Sequence, residues 1–378
     1  MTTAKRHIAI EAQRIFRANK HGMDFVALET IRELQKRNDG NHYYVFVAPG
    51  DDRCLTESDN LTIVELPTSN YLLWEQIALP RALKKYPIEL LHCTSNTAPL
   101  YCTVPLVLTL HDIIYLGNNK TKGMSMYQQI GWYYRKWLVP YIVRKCKHII
   151  TVSHTEKKNI LKRFPKIAPI LSVNYNGFSS CYKVIPKEEN RTIQSYISDN
   201  SYLFFLGNTD PRKNTKGVLQ AYHYYLQHSF KKYKLIITGI SETYAIQLLT
   251  ELGIISCLPN LIFTGYVSGE DLPALYNGAF AFLFPSLKEG FGIPILEAMA
   301  CGTPVITSNT SAMPEVAGTG TQLIDPYNPE EIANAILRLE QDESFYLSQV
   351  SYGLERVKLF SWARTADELA KIYERIER

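Results

Sequence analysis

No apolar run in these 378 residues approaches the roughly 20 that a helix needs to cross a bilayer. Low-complexity tracts and short-period repeats are also missing, which excludes disordered and solenoid architectures. Neither a C-x-x-C pair, a D-x-D triplet, nor a His/Cys cluster with ligand spacing occurs, so the sequence offers no resident metal site. The seven cysteines, Cys54, Cys93, Cys102, Cys146, Cys181, Cys257 and Cys301, are scattered and odd in number, and they read as free thiols of a reducing cytoplasm. Before Glu11 and Arg14 there is only a very short apolar segment, not the extended core of a secretory signal, so the N-terminus is predicted to be a first strand.

Acidic residues are scarce between Gly131 and Lys166. There Arg135, Lys136, Arg144, Lys145, Lys147, Lys157, Lys158, Lys162, Arg163 and Lys166 face Glu156 alone. Trp132, Tyr133, Tyr134, Trp137 and Tyr141 are interleaved with these charges, a mixture suited to an anionic membrane surface or other anionic groups. An amphipathic core helix with snorkelling basic side chains explains it equally well. Nucleic acid is disfavoured because no recognition module accompanies the patch.

What is present fits two α/β domains, each of ordinary size. In the first half, short apolar runs alternate with helical patterns, predicting one doubly wound sheet. Its strands fall near His7–Ile10, Tyr43–Val47, Leu61–Glu65, Leu90–His92, Leu106–Thr109, His148–Thr151 and Ile170–Val173, with a helix over Met23–Lys36. From Phe178 to Ser201 the sequence turns polar, placing a boundary near Val184–Asn190. Further strands are predicted at Tyr202–Leu206, Lys234–Thr238, Leu261–Thr264 and Ala281–Pro285, and a terminal amphipathic helix at Trp362–Ile376.

The densest pattern is Glu289-Gly-Phe-Gly-Ile-Pro-Ile-Leu-Glu297, followed by Ala298-Met-Ala-Cys-Gly-Thr-Pro-Val-Ile-Thr307. Pro294 suits a first helical turn, Gly302 closes the helix, and Gly290 and Gly292 let backbone approach a ligand. Amides at such a helix start form an anion site, leaving Glu297 about one turn inside to accept ribose hydroxyls. Two glutamates alone would more often only complement the helix dipole.

This stretch resembles the signature of the retaining glycosyltransferases of family 4, and so does the chain around it. The resemblance implies the GT-B architecture, two Rossmann-like doubly wound domains facing a central cleft: an N-terminal acceptor-side domain 1–184, a nucleotide-sugar domain 185–360, and a helix 361–378 returning to the first. It places Glu289 by the donor sugar, Glu297 on the ribose, and the backbone of Gly290, Phe291, Gly292 and Ile293 on the diphosphate. Gly207-Asn-Thr-Asp-Pro-Arg-Lys-Asn214 fails the G-x-x-x-x-G-K-[ST] pattern but resembles the family's donor loop, giving Lys213 to the diphosphate with Arg212 as auxiliary. Asn208 stands where many relatives have an arginine.

Thr109-Leu-His-Asp112 resembles a family element that sets His111 near the transferred sugar, with Asp112 orienting it. The resemblance also implies that the loop bearing Gly22 faces the donor phosphates and makes Tyr266 and Val267 candidate contacts to the base. The implied activity is retaining, metal-independent transfer of a hexose from GDP-mannose or a UDP-sugar to a glycan or lipid-linked saccharide, in cell-surface polysaccharide synthesis. The nucleotide sugar would be a substrate, with no cofactor. The chain would be cytoplasmic, either free or peripheral on the cytoplasmic membrane face. A catalytically silent nucleotide-sugar-binding protein and a GT-B epimerase or phosphorylase are the alternatives, since fold alone does not fix reaction.

Overall fold

The computed structural model describes residues 6–68, 70–117, 126–186, 188–190, 192–193, 196–197 and 201–376. Its contacts divide the chain into two units, 1–177 with 362–378, and 178–361.

The first unit carries a seven-stranded, all-parallel sheet in the order β3-β2-β1-β4-β5-β6-β7. The strands are β1 (His7–Glu11), β2 (His42–Val47), β3 (Leu61–Glu65), β4 (Leu90–Cys93), β5 (Leu106–Leu110), β6 (His148–Thr151) and β7 (Leu171–Val173). Each coincides with a predicted strand to within a residue or so at either end. The alternation of side chains along a strand sorts the core into two layers. Ile8, Ile10, Tyr43, Val45, Leu90, Val107 and Ile150 meet α1 (Gly22–Gln35) and the terminal helix α13 (Trp362–Arg375) on one face. Ala9, Phe46, Leu91, Cys93, Leu108 and Ile149 meet the other, covered by Trp74, α3 (Leu79–Leu83), α4 (Met126–Ile142) and α5 (His154–Arg163), with the short helix α2 (Tyr71–Leu73) preceding α3 in the chain. Between α2 and α3 the chain forms a π-helical turn, Trp74–Ala78.

Helix α13 is fixed to its sheet by polar bonds as well as by Leu369 and Tyr373. Arg6 Nη1 donates to the carbonyls of Tyr373 and Ile376, and Asn174 Nδ2 donates to Thr365 O at 2.9 Å. A small cavity of about 30 Å³, enough for one water, lies against it, lined among others by His92, His111, Asn174 and Thr365.

The second unit has a six-stranded parallel sheet, β10-β9-β8-β11-β12-β13, built from β8 (Tyr202–Leu206), β9 (Leu235–Thr238), β10 (Leu261–Gly265), β11 (Ala279–Phe284), β12 (Val305–Ser308) and β13 (Gln322–Ile324). Aliphatic residues of one face, such as Leu203, Ile237, Leu283 and Ile306, pack on α6 (Thr215–His228), α7 (Glu242–Leu252) and α11 (Pro329–Gln341). The opposite face is aromatic. Phe204, Phe282 and Tyr276 lie edge-to-face or tilted with centroids 5.0 to 5.7 Å apart. The remaining helices are α8 (Leu272–Gly278), α9 (Ile293–Ala300), α10 (Met313–Ala317) and α12 (Glu343–Arg356).

This unit begins at Phe178, upstream of the Val184–Asn190 boundary expected from composition. The polar segment is tied down here by contacts no composition reveals. The Tyr182 ring packs edge-on to Tyr276 at 5.8 Å, Ile185 N donates to Asn277 Oδ1 at 2.7 Å, and Asn190 Nδ2 donates to Ala274 O at 3.0 Å. Residues 187, 191, 194–195 and 198–200 of the predicted linker lie outside the described residues.

Candidate functional site

In each sheet the strand order reverses once, and in doubly wound folds ligands bind beyond the strand C-termini at that switch point. In the second unit the reversal falls between β8 and β11. The loops leaving these two strands carry Gly207 to Asn214 and Glu289 to Gly292.

Gly207 is required by packing. A Cβ there would lie 2.8 Å from Ile237 Cγ2 and 2.9 Å from Thr238 O. The loop then turns through a short 3₁₀ segment, Pro211–Lys213, whose N-cap Asp210 accepts the Arg212 N–H at 2.9 Å. Asn214, in the left-handed region at φ 60°, donates from Nδ2 to Pro285 O and Pro326 O, clamping the loop to the end of β11. Leu287 N donates to Arg212 O at 2.7 Å.

These bonds bring Lys213 and Glu289 together, Nζ to Oε1 at 2.6 Å, with the ammonium also 5.4 Å from the Phe284 ring centroid. The sequence assigned them separate roles, but they form an ion pair. Arg212 forks onto Asp210, with Nη2 2.6 Å from Oδ2, so any anion it helps to hold must compete with that carboxylate. Burial tends to raise the Asp210 carboxyl, but the hydrogen bonds and charge of Arg212 prevail and hold it below its usual range.

Glu289 is fixed by Ser311, whose Oγ accepts from Glu289 N at 3.2 Å and donates to its carbonyl at 2.8 Å. Gly292 caps α9 at φ 113°, a conformation that favours glycine, and Pro294 lies in the first turn of the helix. The Gly290 to Ile293 backbone therefore passes directly into a helix N-terminus, as the sequence predicted.

Glu297, one turn into α9, retains some exposed surface, but its carboxyl is enclosed. Tyr276 OH donates to Oε2 at 3.0 Å, and the Tyr182 hydroxyl also bonds to the carboxylate. Burial raises this carboxyl to about 7, and the two tyrosines oppose the rise. Neither tyrosine was singled out from the sequence; their only signal is aromatic residues in a polar segment and in a helix, which many structural residues share. Tyr266 and Val267 follow β10 at the same end of the sheet, Tyr266 at 82 % exposure.

In the first unit the reversal lies between β1 and β4. His111 follows β5 and is buried. Its backbone N–H donates to Asn96 Oδ1 at 2.6 Å, and its Nε2 lies 2.8 Å from Thr94 O. Because a carbonyl only accepts, Nε2 carries the proton, and burial lowers the imidazole pKa, so the neutral ring has its lone pair on Nδ1. Asp112 does not orient this ring as expected. It accepts the Ile114 N–H at 3.0 Å, while Thr94 holds the imidazole. Gly22 opens α1 with open space where a Cβ would stand and without a left-handed φ, so local packing does not demand glycine there.

Among the described residues no three His, Cys, Asp or Glu side chains gather as metal ligands, and no helix is long and apolar enough to cross a membrane.

Residues 186–356 match the model for glycosyl transferases group 1, and residues 21–179 match that for glycosyltransferase family 4. The chain is 35 % identical over 232 residues to O-antigen chain mannosyltransferase B of Escherichia coli, covering 60 % of each protein. It is 30 % identical over 275 residues to O-antigen chain mannosyltransferase RfbU of Salmonella typhimurium, covering 69 % of this chain and 68 % of that one. Against the serotype-specific mannosyltransferase WbdA of E. coli it is 33 % identical over 173 residues but spans only 21 % of that protein. Among solved structures, Anabaena Alr3699/HepE in complex with UDP and glucose superposes with a TM-score of 0.73 at 17 % identity, over 98 % of this chain and all of that one. WaaG, a glycosyltransferase involved in lipopolysaccharide biosynthesis, superposes at 0.71 with 15 % identity, over 97 % of this chain and 99 % of that one. With two parallel α/β sheets and both family models matched, the chain has the GT-B fold and belongs to the group 1 glycosyltransferases, alongside the O-antigen mannosyltransferases.

Proposed function

We propose that the chain is a retaining, metal-independent hexosyltransferase, taking a hexose from GDP-mannose or a UDP-sugar to a glycan or lipid-linked saccharide in cell-surface polysaccharide synthesis. The observation that carries this reading is the Lys213–Glu289 pair at the β8/β11 switch point, beside the N-terminus of α9. Diphosphate departure builds negative charge, which Lys213 and the amides from Gly290 to Ile293 stabilise. Oxocarbenium character at the anomeric carbon is met by Glu289 once Lys213 turns from it to the diphosphate. Glu297 takes the ribose hydroxyls, with Tyr276 and Tyr182 holding its carboxylate, and Tyr266 and Val267 take the base. His111 offers Nδ1 to a sugar hydroxyl. The names of the relatives favour a mannosyl donor, whereas the UDP bound to HepE favours a uridine one.

Thermal shift with a panel of nucleotide sugars identifies the donor, because a ligand of the native state raises its stability with occupancy. Proton NMR of the first-formed product should then show the donor's anomeric configuration retained, and chelator should leave the rate unchanged. An inverted product, or activity lost to EDTA and restored by magnesium or manganese, would overturn the mechanism. Binding without donor turnover would mark a catalytically silent protein.

The same reading includes contact with an anionic membrane through α4 and the chain after it. On α4 the aromatics divide between two faces. Trp132, Leu138, Val139 and Ile142 are buried, while Ile130, Tyr133, Trp137 and Tyr141 form an exposed stripe at spacings of three and four residues. Arg144, Lys145 and Lys147, exposed just beyond it, supply the positive charge, each worth about 1 kcal/mol near an anionic surface. The chain should sediment with liposomes containing anionic lipid at low salt and stay in solution at high salt. Equal recovery in solution under all conditions would leave the stripe without this role and favour a soluble saccharide acceptor.

A further inference from the structure

The loop after β4 holds His111 from two sides. Thr94 O takes the ring Nε2–H, and Asn96, in the left-handed region at φ 66°, takes the backbone N–H through Oδ1. The geometry of this loop therefore sets both the place and the tautomer of the imidazole.

Two buried carboxyl groups grip the same loop. At its start, Glu11 at the end of β1 accepts the Thr94 N–H on Oε2 at 3.3 Å, and its carbonyl accepts the Thr94 hydroxyl at 2.8 Å. Oε1 of Glu11 is occupied by the Gln13 N–H at 3.0 Å. Three residues later Thr97 donates its hydroxyl to Glu75 Oε1 at 2.5 Å. Glu75 is 1 % exposed and takes further hydrogen bonds from Tyr71 OH at 3.2 Å, Gln76 Nε2 at 2.9 Å and Tyr134 OH. Its neighbour Gln76 extends the grip, donating to Ala98 O at 3.1 Å and accepting from Leu100 N at 2.9 Å.

Glu75 and Gln76 can serve the loop together because they lie on the π-helical turn Trp74–Ala78. The wider turn is uncommon and recurs at functional sites. Burying two carboxyl groups near one another is costly: desolvation raises both above the usual carboxylate range, Glu11 to about 7, and each group's charge would repel the other's. Apolar side chains would fill this space at lower cost, and the carboxyl groups act on one short loop. We propose that Glu11 and Glu75 are positioning residues that clamp residues 94–97 from both ends, and so hold His111 with Nε2 protonated and the Nδ1 lone pair presented to substrate. The proposal rests on the reading of His111 as a group that touches the sugar.

The test uses the full chain with Glu75→Gln, Glu11→Gln and Thr97→Val. Thr97→Val keeps the side-chain shape while removing the hydroxyl, and so covers the case in which a glutamate variant fails to fold. Nitrogen-15 NMR of the imidazoles, with the His111 signals assigned by their loss in His111→Ala, should show one Nε2–H tautomer in the wild type and a mixture in the variants. The rate of diphosphate release from GDP-mannose or UDP-glucose, whichever is turned over, should fall about 10- to 100-fold, the scale of a misplaced group. The Kd for GDP or UDP should stay within about twofold, since those contacts are assigned to the second unit. Folded variants with an unchanged His111 spectrum would overturn the clamp, whatever their rate. If His111→Ala itself retains full turnover, the role of His111 fails instead, and a tautomer mixture in the clamp variants would still establish the positioning.

Discussion

The two switch points are built from opposite materials. In the second unit the candidate site is a partly exposed ion pair, a glycine-capped helix start and one carboxylate, almost all from two short stretches of chain. In the first unit it is a buried neutral imidazole, placed by residues from the end of β1, the π-helical turn, the loop after β4 and the end of β5. The site proposed to meet a diphosphate needs charge and a helix start, which contiguous loops can carry. A site that presents one neutral lone pair needs rigidity, which has to be assembled from distant segments.

The largest break in that comparison should come from Lys213→Ala. Losing a cation aimed at a leaving group that gains charge costs on the order of 10² to 10³ in rate, with little change in thermal midpoint. A rate within twofold of wild type would remove Lys213 from the chemistry.

Glu297→Ala should weaken GDP or UDP binding by roughly 1.5 to 3 kcal/mol in calorimetry, the worth of hydrogen bonds to a charged acceptor. Its pH dependence sharpens the point. The folded carboxyl is raised to about 7 from an ordinary 4.5, so the wild type should gain nucleotide affinity as pH rises through 7 and the group ionises. Stability of the unliganded protein runs the other way: between 4.5 and 7 the native state holds a proton that the unfolded state has released, so this group's contribution declines as pH rises. Glu297→Gln should flatten part of that decline, and Glu11, also raised to about 7, should account for more of it. Nucleotide affinity that does not vary with pH would separate Glu297 from the ribose.

Replacing Gly207 and Gly22 by alanine contrasts packing with ligand approach. Gly207→Ala drives a Cβ into Ile237 and Thr238 O and should lower stability by about 1 to 3 kcal/mol in denaturant titration. Gly22→Ala meets open space and should leave the midpoint unchanged, so any loss of donor affinity there would report contact with the ligand.

Tyr276→Phe is the smallest change. It removes one hydrogen bond to Glu297, about 1 kcal/mol, and should weaken nucleotide binding about fivefold while preserving the aromatic packing on Phe204 and Phe282. No change in affinity would show that Tyr182 alone suffices to orient the carboxylate.

The seven strands of the first sheet and most of the second could be read from the sequence because parallel strands covered on both faces are short continuous apolar runs, and helices such as α1 and α13 repeat their apolar residues at helical spacing. Strand β13, three residues long and containing Gln322, carries no such run and was not predicted. The helix start from Gly290 to Pro294 was equally legible, since its glycines and proline act through local backbone geometry. Other features were decided by tertiary structure alone: the pairing of Lys213 with Glu289, the enclosure of Glu297 by Tyr182 and Tyr276, the division of the α4 aromatics between core and surface, and the grip of Glu11 and Glu75 on the loop that holds His111. Local pattern fixes φ, ψ and periodicity within a few residues. Which buried hydroxyl meets which carboxylate depends on the strand order that brings distant segments together, and no spacing along the chain records that order.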